Sequence, residues 1–123
     1  MNVLIKSAKI VDPNSPANGK TADILIENGV IKSIQQNIKA PNGIKRIEGA
    51  NLHASPGWFD MQANFRDPGF EYKEDMASGM AAAASGGFTG VLLMPSTNPA
   101  VHSKSDVEYV VNKSKSISSS VDV

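Results

Sequence analysis

The sequence predicts an α/β protein. A small β-sandwich-like module over residues 1–55 precedes the first βα units of a (β/α)8 TIM-like barrel, over residues 56–123. Residues 1–55 contain short apolar runs broken by turn residues, which is typical of strands. Strand-like and helix-like segments then alternate, which favours parallel strands joined by helices. Because the chain ends in "VDV", which resembles the start of a third strand, we expect an incomplete barrel.

Four apolar segments account for the N-terminal module. The two longer ones, "VLIKSAKIVD" and "ADILIENGVIKSIQQ", are rich in β-forming residues. Asn28 and Gly29 interrupt the second segment and readily adopt the positive backbone angles of a tight hairpin. The two shorter ones, "IKRIEG" and "LHASPG", are set off by the turn residues Pro41, Asn42 and Gly43. The pattern therefore predicts a hairpin followed by short strands.

Two strands and two helices are predicted after residue 56. The strands are "GWFDMQANF" and "FTGVLLMP", and the helices are "KEDMASGMAAAASGG" and the segment opening at "SKSDVEYVVNKSK". Helical spacing places four apolar residues on one side of the first helix: Met76, Met80, Ala83 and Ala84. This helix is expected to stop at Gly86 and Gly87. Ser105 followed by Glu108 predicts a capping box for the second helix.

The predicted sheet is short of strands. Parallel sheets are normally covered on both faces, and a closed (β/α)8 barrel takes ~200 residues or more. We therefore interpret the chain as the front part of a larger barrel. The alternative is a self-contained α/β domain that protects its sheet edge by dimerising.

Composition excludes several classes of function. Twelve Lys plus Arg residues balance twelve Asp plus Glu residues, so no global field attracts nucleic acid or an anionic membrane. The chain has no cysteine, which excludes disulfides and thiolate metal sites and favours the cytoplasm. No apolar run approaches the ~20 residues of a membrane-spanning helix, and the N-terminus lacks a signal pattern. Small molecules or other proteins are the expected partners.

Polar residues gather at the ends of the two predicted strands. Alternation along the first strand places Gln62, Asn64 and Arg66 on one face. Arg66 is a strong anion binder that can hold a carboxylate through two hydrogen bonds. The turn residues "DPG" follow it and favour a loop of fixed shape. The second strand ends in "MPSTNP", which places Thr97 and Asn98 beside that loop if the strands are neighbours.

Structural roles are the alternative for each polar residue. Arg66 could form a surface ion pair with one of three acidic residues nearby, namely Asp67, Glu71 or Asp75. Asn98 before a proline also fits an ordinary turn. His53 and His102 have no second ligand at metal-binding spacing, so structural or surface roles are favoured. The lysine-rich "NKSKS" is interpreted as a solvated helix face.

The segments "PGWFDMQANFRDPGFEYKED" and "AAAASGGFTGVLLMPSTNPAV", with the β module before them, resemble the N-terminal part of dihydroorotase, a cyclic amidohydrolase of pyrimidine biosynthesis. The resemblance spans nearly the whole chain, and "FRDPG" and "MPSTNP" are its most specific segments. It implies a metal-dependent barrel in which a His-x-His pair on the first strand holds part of the zinc. It also implies that an Arg after the pair and an Asn after the second strand bind the carboxylate of dihydroorotate or carbamoyl aspartate.

This sequence departs from the family pattern at the metal pair. The pair reads Gln62-Ala63-Asn64, whereas Arg66 and Asn98 match the substrate-binding positions. The resemblance places the other metal ligands and the catalytic Asp beyond Val123. We therefore predict no catalytic residue, no metal ligand and no cofactor within this chain, although zinc is implied for the family.

The leading hypothesis is a dihydroorotase-like protein with lost or impaired catalysis. The family reaction is the reversible cyclisation of carbamoyl aspartate to dihydroorotate, and this chain alone is predicted to be inactive. A scaffold role, such as supporting aspartate transcarbamoylase, and a homo-oligomer are expected. Two alternatives stay open: an active dihydroorotase using metal ligands downstream of this chain, and a metal-free module that binds a small carboxylate.

Overall fold

The computed structural model describes residues 1–40 and 42–123. The chain divides into two compact units, Met1–Pro56 and Gly57–Val123. Within the described residues, neither of the two helices has the length and hydropathy needed to cross a membrane.

One mixed sheet forms the first unit. Its strands are β1 (Val3–Ile10), β2 (Thr21–Glu27), β3 (Val30–Gln35), β4 (Lys45–Ile47) and β5 (His53–Ala54). Strand β1 is central because it pairs antiparallel with β2 on one edge and parallel with β4 and β5 on the other. Residues 1–40 and 42–56 form a single five-stranded sheet. The prediction of a sandwich-like module is therefore wrong for these residues.

The hairpin between β2 and β3 confirms the turn prediction. Asn28 and Gly29 join the two antiparallel strands and have φ angles of 53° and 78°. These are the left-handed angles that a two-residue hairpin turn requires. The second predicted turn includes Pro41, which lies outside the described residues; its last residue, Gly43, has a φ of 80°.

A bulge in β1 is stabilised by a buried carboxylate. The pairing of β1 with β2 shifts register between Ile5 and Ala8, and Ser7 within that interval has a φ of 52°. The Asp23 side chain accepts hydrogen bonds from the Ser7 and Ile38 backbone N–H groups, both at 2.9 Å, and from Lys6. The carboxylate thereby pairs with the backbone N–H of Ser7 in the irregular part of the ladder and with that of Ile38 beyond the end of β3.

Alternating strands and helices build the second unit, as predicted. They are β6 (Trp58–Ala63), α1 (Met76–Ser85), β7 (Phe88–Leu93) and α2 (Lys104–Ser116). Strands β6 and β7 pair in parallel. The core consists of Ala63, Phe65, Met76, Met80, Val91, Val110 and Val121. A Cβ added at Gly79 of α1 would lie 2.4 Å from the ring of Phe65, so the helix backbone packs directly on that ring.

The helix termini agree only partly with prediction. Met76 and Met80 are buried and Ala83 packs on the core, but Ala84 is exposed, because the buried stripe is narrower than predicted. The helix begins at Met76, since Asp75 caps it through a reciprocal pair of hydrogen bonds with Ser78. It ends at Gly86 and Gly87, as expected.

The predicted cap of α2 is wrong by two residues. Ser103, rather than Ser105, is the N-cap, and Asp106 rather than Glu108 completes the capping box. Both serine-acid pairs have the spacing of a capping box, so the backbone geometry before the helix decides between them. Ser103 has the extended conformation that an N-cap needs.

The predicted third strand is present as a single parallel bridge between Asp122 and Gly90. Two backbone hydrogen bonds of 2.9 Å support it, from Val91 N–H to Asp122 and from Asp122 N–H to Thr89. Four large apolar side chains of β6 and β7 are more than half exposed: Trp58, Phe59, Met61 and Leu92. The parallel sheet of this unit therefore carries apolar surface that the described residues leave uncovered.

Candidate functional site

Two loops meet beyond the carboxyl ends of β6 and β7. The Asn98 backbone N–H donates to the Pro68 carbonyl at 3.0 Å. Gly69 has a φ of 96°, and a Cβ added there would lie 2.0 Å from the Asn98 carbonyl oxygen, so only glycine fits this approach. The loops contain cis peptides at Asp67-Pro68 and Asn98-Pro99. The prediction that "MPSTNP" lies beside "RDPG" is confirmed.

Arg66 lies at the start of the first loop and not on the strand. Strand β6 ends at Ala63, and Arg66 has a φ of 58°, so the alternation of side chains does not extend to it. The predicted convergence of Arg66 with Gln62 and Asn64 on one strand face is therefore wrong. Arg66 lines a mainly apolar pocket of about 220 Å³ together with Thr97 and residues of α2.

The surface ion pairs considered for Arg66 are not formed. Within residues 1–40 and 42–123, the salt bridges join other side chains, and none includes Arg66. Its guanidinium keeps its hydrogen-bond donors for solvent or a ligand. Arg66 therefore retains the property that carboxylate binding needs.

Gln62 and Asn64 lie together at a second pocket of about 280 Å³, which Asp60 and Glu74 also line. The Asn64 amide oxygen accepts a hydrogen bond from the Ser96 hydroxyl. The Asp60 side chain accepts from the Gln62 backbone N–H at 2.9 Å. The second strand's loop is thus tied to Asn64 as well as to Pro68.

The amide side chains of Gln62 and Asn64 do not fit zinc. Zinc sites in proteins use thiolate, imidazole or carboxylate ligands, whereas an amide oxygen is a weak, hard ligand better suited to calcium or magnesium. The Asn64 oxygen is already hydrogen-bonded to Ser96. Across residues 1–40 and 42–123, no group of three His, Cys, Asp or Glu side chains is placed to hold a metal ion.

The two histidines have local backbone partners. The Nδ1 atoms of His53 and His102 lie 2.8 Å from the carbonyl oxygens of Asn51 and Ala100, respectively. His102 also lies near Asp106, whose carboxylate helps to cap α2. Backbone hydrogen bonds from His102 and Ser103 hold the pKa of Asp106 below its ordinary value.

Asp67 is the site residue that sequence reasoning missed. Its carboxylate is fully buried and contacts both helices of the unit. Lys113 Nζ lies 2.7 Å from Oδ2 and donates to Oδ1 at 2.9 Å, and the Tyr109 hydroxyl donates to Oδ1 at 3.2 Å. The Met76 backbone N–H at the start of α1 donates to Oδ2 at 3.2 Å. A residue predicted to serve a turn therefore joins the loop to both helices.

The prediction that "NKSKS" is a solvated helix face is confirmed for Asn112, Lys115 and Ser116, which are exposed, but not for Lys113 and Ser114. The hydrogen bond to Asp67, followed by that to Tyr109, raises the pKa of Lys113 well above its usual range. Lys113 and Tyr109 are four residues apart, so they share a helix face, and they contact each other at 2.9 Å. This spacing was the only signal in the sequence, because Asp67 lies 46 positions before Lys113.

Comparison with known proteins identifies relatives of this chain. The family model described as "Dihydro-orotase-like" matches residues 53–123. Dihydroorotase from Citrifermentans bemidjiense is 44% identical over 116 residues, which cover 94% of this chain and 27% of that protein. Dihydroorotase from Aquifex aeolicus is 40% identical over 117 residues, covering 95% and 27%. The chain thus spans 27% of the length of these curated relatives.

Solved structures share the fold. A D-hydantoinase (dihydropyrimidinase) from Thermus sp. superposes with a TM-score of 0.71 at 27% identity, over 91% of this chain and 24% of that one. An L-hydantoinase (dihydropyrimidinase) from Arthrobacter aurescens gives a TM-score of 0.68 at 20% identity, over 92% and 25%. The second likeness concerns the fold alone. Since the family model covers more than half of its residues, the chain belongs to the dihydroorotase-like family of amidohydrolases.

Proposed function

We propose that this chain is the front part of a dihydroorotase-like protein whose catalysis is lost or impaired and whose carboxylate pocket is retained. The observation that carries the proposal is the pair Gln62 and Asn64 at the positions where the family resemblance implies zinc-binding histidines. Arg66, at the matching substrate-binding position, forms no salt bridge with any described residue. The proposed protein thus lacks part of a metal site and keeps an anion site.

The barrel is proposed to be completed by chain outside the described residues. The exposed apolar side chains of β6 and β7 support this inference, because parallel sheets are stable when both faces are covered. The bridge at Asp122 is in the position expected for a third parallel strand.

Loss of the histidines removes the chemistry that a metal would supply. A zinc ion polarises a carbonyl and lowers the pKa of a bound water to about 7, effects that together contribute several kcal/mol to hydrolysis. Neither amide side chain of this pair can replace imidazole as a strong nitrogen ligand. Hydrolysis and cyclisation are therefore expected to be slow or absent.

Arg66 and Asn98 are proposed to bind carbamoyl aspartate or dihydroorotate, with Arg66 on the lining of the retained pocket and Asn98 in the neighbouring loop, outside that lining. The guanidinium supplies two parallel donors that match a carboxylate. Asn98 lies in the loop that is hydrogen-bonded to Pro68, next to the Arg66 loop. Both residues are thereby held near the carboxyl ends of the strands, where barrel enzymes bind their substrates.

A supporting role fits a dihydroorotase-like protein without strong activity. We propose that the full-length protein is a cytoplasmic homo-oligomer that supports a partner such as aspartate transcarbamoylase. This part of the protein has no net charge, which fits assembly through shape and apolar contacts and not through long-range attraction.

Metal analysis and kinetics of the full-length protein test the loss of catalysis. We expect less than stoichiometric zinc and a hydrolysis rate of dihydroorotate far below that of an active relative. The double variant Q62H/N64H is expected to gain zinc. Stoichiometric zinc with normal turnover in the unmodified protein would instead establish an active enzyme that uses downstream ligands.

Calorimetric titration tests the carboxylate pocket separately. We expect the full-length protein to bind carbamoyl aspartate or dihydroorotate and Arg66→Ala to abolish that binding. Lys73→Ala, in the same loop, is the matched control and is expected to leave the affinity unchanged. Equal affinity of the Arg66→Ala variant and the unmodified protein would show that Arg66 has no role in binding.

A further inference from the structure

The loop that begins with Arg66 contains a carboxylate of its own, that of Asp67, which could compete with a bound ligand for the Arg66 guanidinium. Asp67 follows Arg66 directly in the chain, and its carboxylate is fully buried. A buried carboxylate without a cation is strongly unfavourable, so it will pair with any accessible guanidinium or ammonium group. An unpaired Asp67 would therefore compete with a ligand carboxylate for Arg66.

Helix α2 removes this competition. Lys113 approaches both Asp67 oxygens, at 2.7 Å and 2.9 Å, and Tyr109 adds a hydrogen bond to Oδ1. With these contacts and the Met76 N–H, each carboxylate oxygen has at least two donors. The negative charge of Asp67 is thus neutralised from the helix side, and Arg66 is not needed for it.

The same helix forms a wall of the Arg66 pocket. Val107, Val110 and Val111 of α2 line that pocket together with Arg66 and Asp67. A contact that attaches α2 to the loop therefore also sets the distance between this apolar wall and the guanidinium. Arg66 has a left-handed backbone, which persists only where surrounding contacts hold it.

We propose that Lys113 is a positioning residue for carboxylate binding: by holding Asp67 from α2, it fixes the loop and keeps the Asp67 carboxylate from pairing with Arg66. This inference rests on the proposed function, because it concerns the anion that Arg66 is proposed to bind. Tyr109 assists by donating to the same carboxylate and contacting Lys113 Nζ at 2.9 Å.

The test is calorimetric titration of the full-length protein with carbamoyl aspartate and with dihydroorotate. We expect Lys113→Met to weaken binding by about tenfold or more, the range seen when a group that orients a ligand-binding residue is removed. The matched control is Lys115→Met, an exposed lysine in the same helical turn, with an expected change within about twofold. Lys113→Arg is expected to recover most of the affinity.

A double variant separates charge competition from simple damage to the helix. In Asp67→Asn with Lys113→Met no charge remains at this contact, so affinity is expected to rise above that of Lys113→Met alone. Unchanged affinity in Lys113→Met overturns the proposal, and so does a double variant that binds no better than the single one. If Lys113→Met does not fold, Lys113→Gln, which keeps a donor for Asp67 without the charge, has the same expected loss and the same overturning result.

The Arg66→Ala titration distinguishes the two levels of inference. If Arg66→Ala abolishes binding while Lys113→Met does not weaken it, the positioning role is wrong and the carboxylate pocket stands. If Arg66→Ala has no effect, the carboxylate pocket is wrong and the positioning role falls with it.

Discussion

Among the residues that the structure describes, each unit contains one buried aspartate that accepts hydrogen bonds from a lysine and from at least one backbone N–H. In the first unit Asp23 is 3% exposed and accepts from Lys6, Ser7 and Ile38. In the second unit Asp67 is 1% exposed and accepts from Lys113, Tyr109 and Met76. The chemistry of the two carboxylates is nearly the same. Their surroundings differ, because Asp23 joins parts of one sheet and Asp67 joins a loop to two helices.

Because their surroundings differ, the two aspartates stabilise different parts of the protein. Asp23 stabilises a strand bulge whose partners all lie within its own sheet and the segment that follows it. Asp67 stabilises the loop that begins with Arg66, the residue proposed to bind a carboxylate. A buried ion pair is therefore expected to serve stability alone in the first unit, and we propose that the one in the second unit also positions the carboxylate site.

Removing the Asp23 carboxylate is expected to have the largest effect. Asp23→Ala leaves Lys6 and two backbone N–H groups without their acceptor, and we expect the free energy of unfolding to fall by about 3 kcal/mol. Asp23→Asn, which keeps one acceptor oxygen, is expected to lose less. Urea unfolding measures both values, and titration of the folded protein is expected to give unchanged affinity for carbamoyl aspartate. Loss of affinity in the folded variant would break the distinction between the two aspartates.

Gly79 in the second unit and Gly29 in the first differ in how closely other atoms pack against them. Gly79→Ala places a methyl group against Phe65, so we expect a loss of about 2 kcal/mol. In an open helix the same change stabilises by up to about 1 kcal/mol, so the sign identifies the close contact. Gly29→Ala meets no atom within 4 Å, and its expected loss of about 1 kcal/mol comes from its positive φ alone. Thermal unfolding of both variants measures these free-energy changes. Stabilisation by Gly79→Ala would contradict the close contact between Gly79 and Phe65.

The cap of α2 is expected to contribute less. Ser103→Ala removes the N-cap hydroxyl and is expected to destabilise the protein by about 1 kcal/mol. Ser105→Ala removes only a hydroxyl that contacts the Ser103 hydroxyl at 2.8 Å and leaves the cap itself in place, so its expected change is smaller, within about 0.5 kcal/mol. If the two losses in urea unfolding are reversed, the helix begins at the predicted cap and not at the observed one.

The smallest effect is expected in the pH dependence of stability. Burial raises the pKa of Asp23, but hydrogen bonds from Lys6, Ser7 and Ile38 outweigh it and hold the pKa below 3.8. Its contribution is therefore present above about pH 3.8 and is lost as the pH falls through the native pKa. The pKa of Lys113 is raised, so its contribution is present below pH 10.5 and is lost only as the pH rises beyond that value.

Unfolding measured from pH 2 to 11 tests both directions. Asp23→Asn is expected to flatten the acid side of the stability curve, and Lys113→Gln the alkaline side. An acid side with the same slope in Asp23→Asn and in the unmodified protein would show that Asp23 does not titrate with folding.

Local sequence signals were sufficient to predict most of the strands and helices and to identify the family. The Asn28 and Gly29 hairpin, the alternation of strands and helices, and the end of α1 at Gly86 each depend on nearby residues. The adjacency of "RDPG" and "MPSTNP" followed from the parallel pairing of consecutive strands. The predicted cap of α2 was wrong because Ser103 and Ser105 each precede an acidic residue by three positions, so the spacing alone does not choose between them.

The amino-acid sequence by itself determined the period of each segment, its turns and the residue types at the site, including the amide side chains of Gln62 and Asn64. These depend on short-range sterics and on side-chain chemistry, which can be read from neighbouring positions. Only the tertiary structure decided that Arg66 leaves the strand face, that Asn64 bonds to Ser96, and that Lys113 holds Asp67. Such contacts join residues tens of positions apart, and packing brings them together without any periodic signal in the chain.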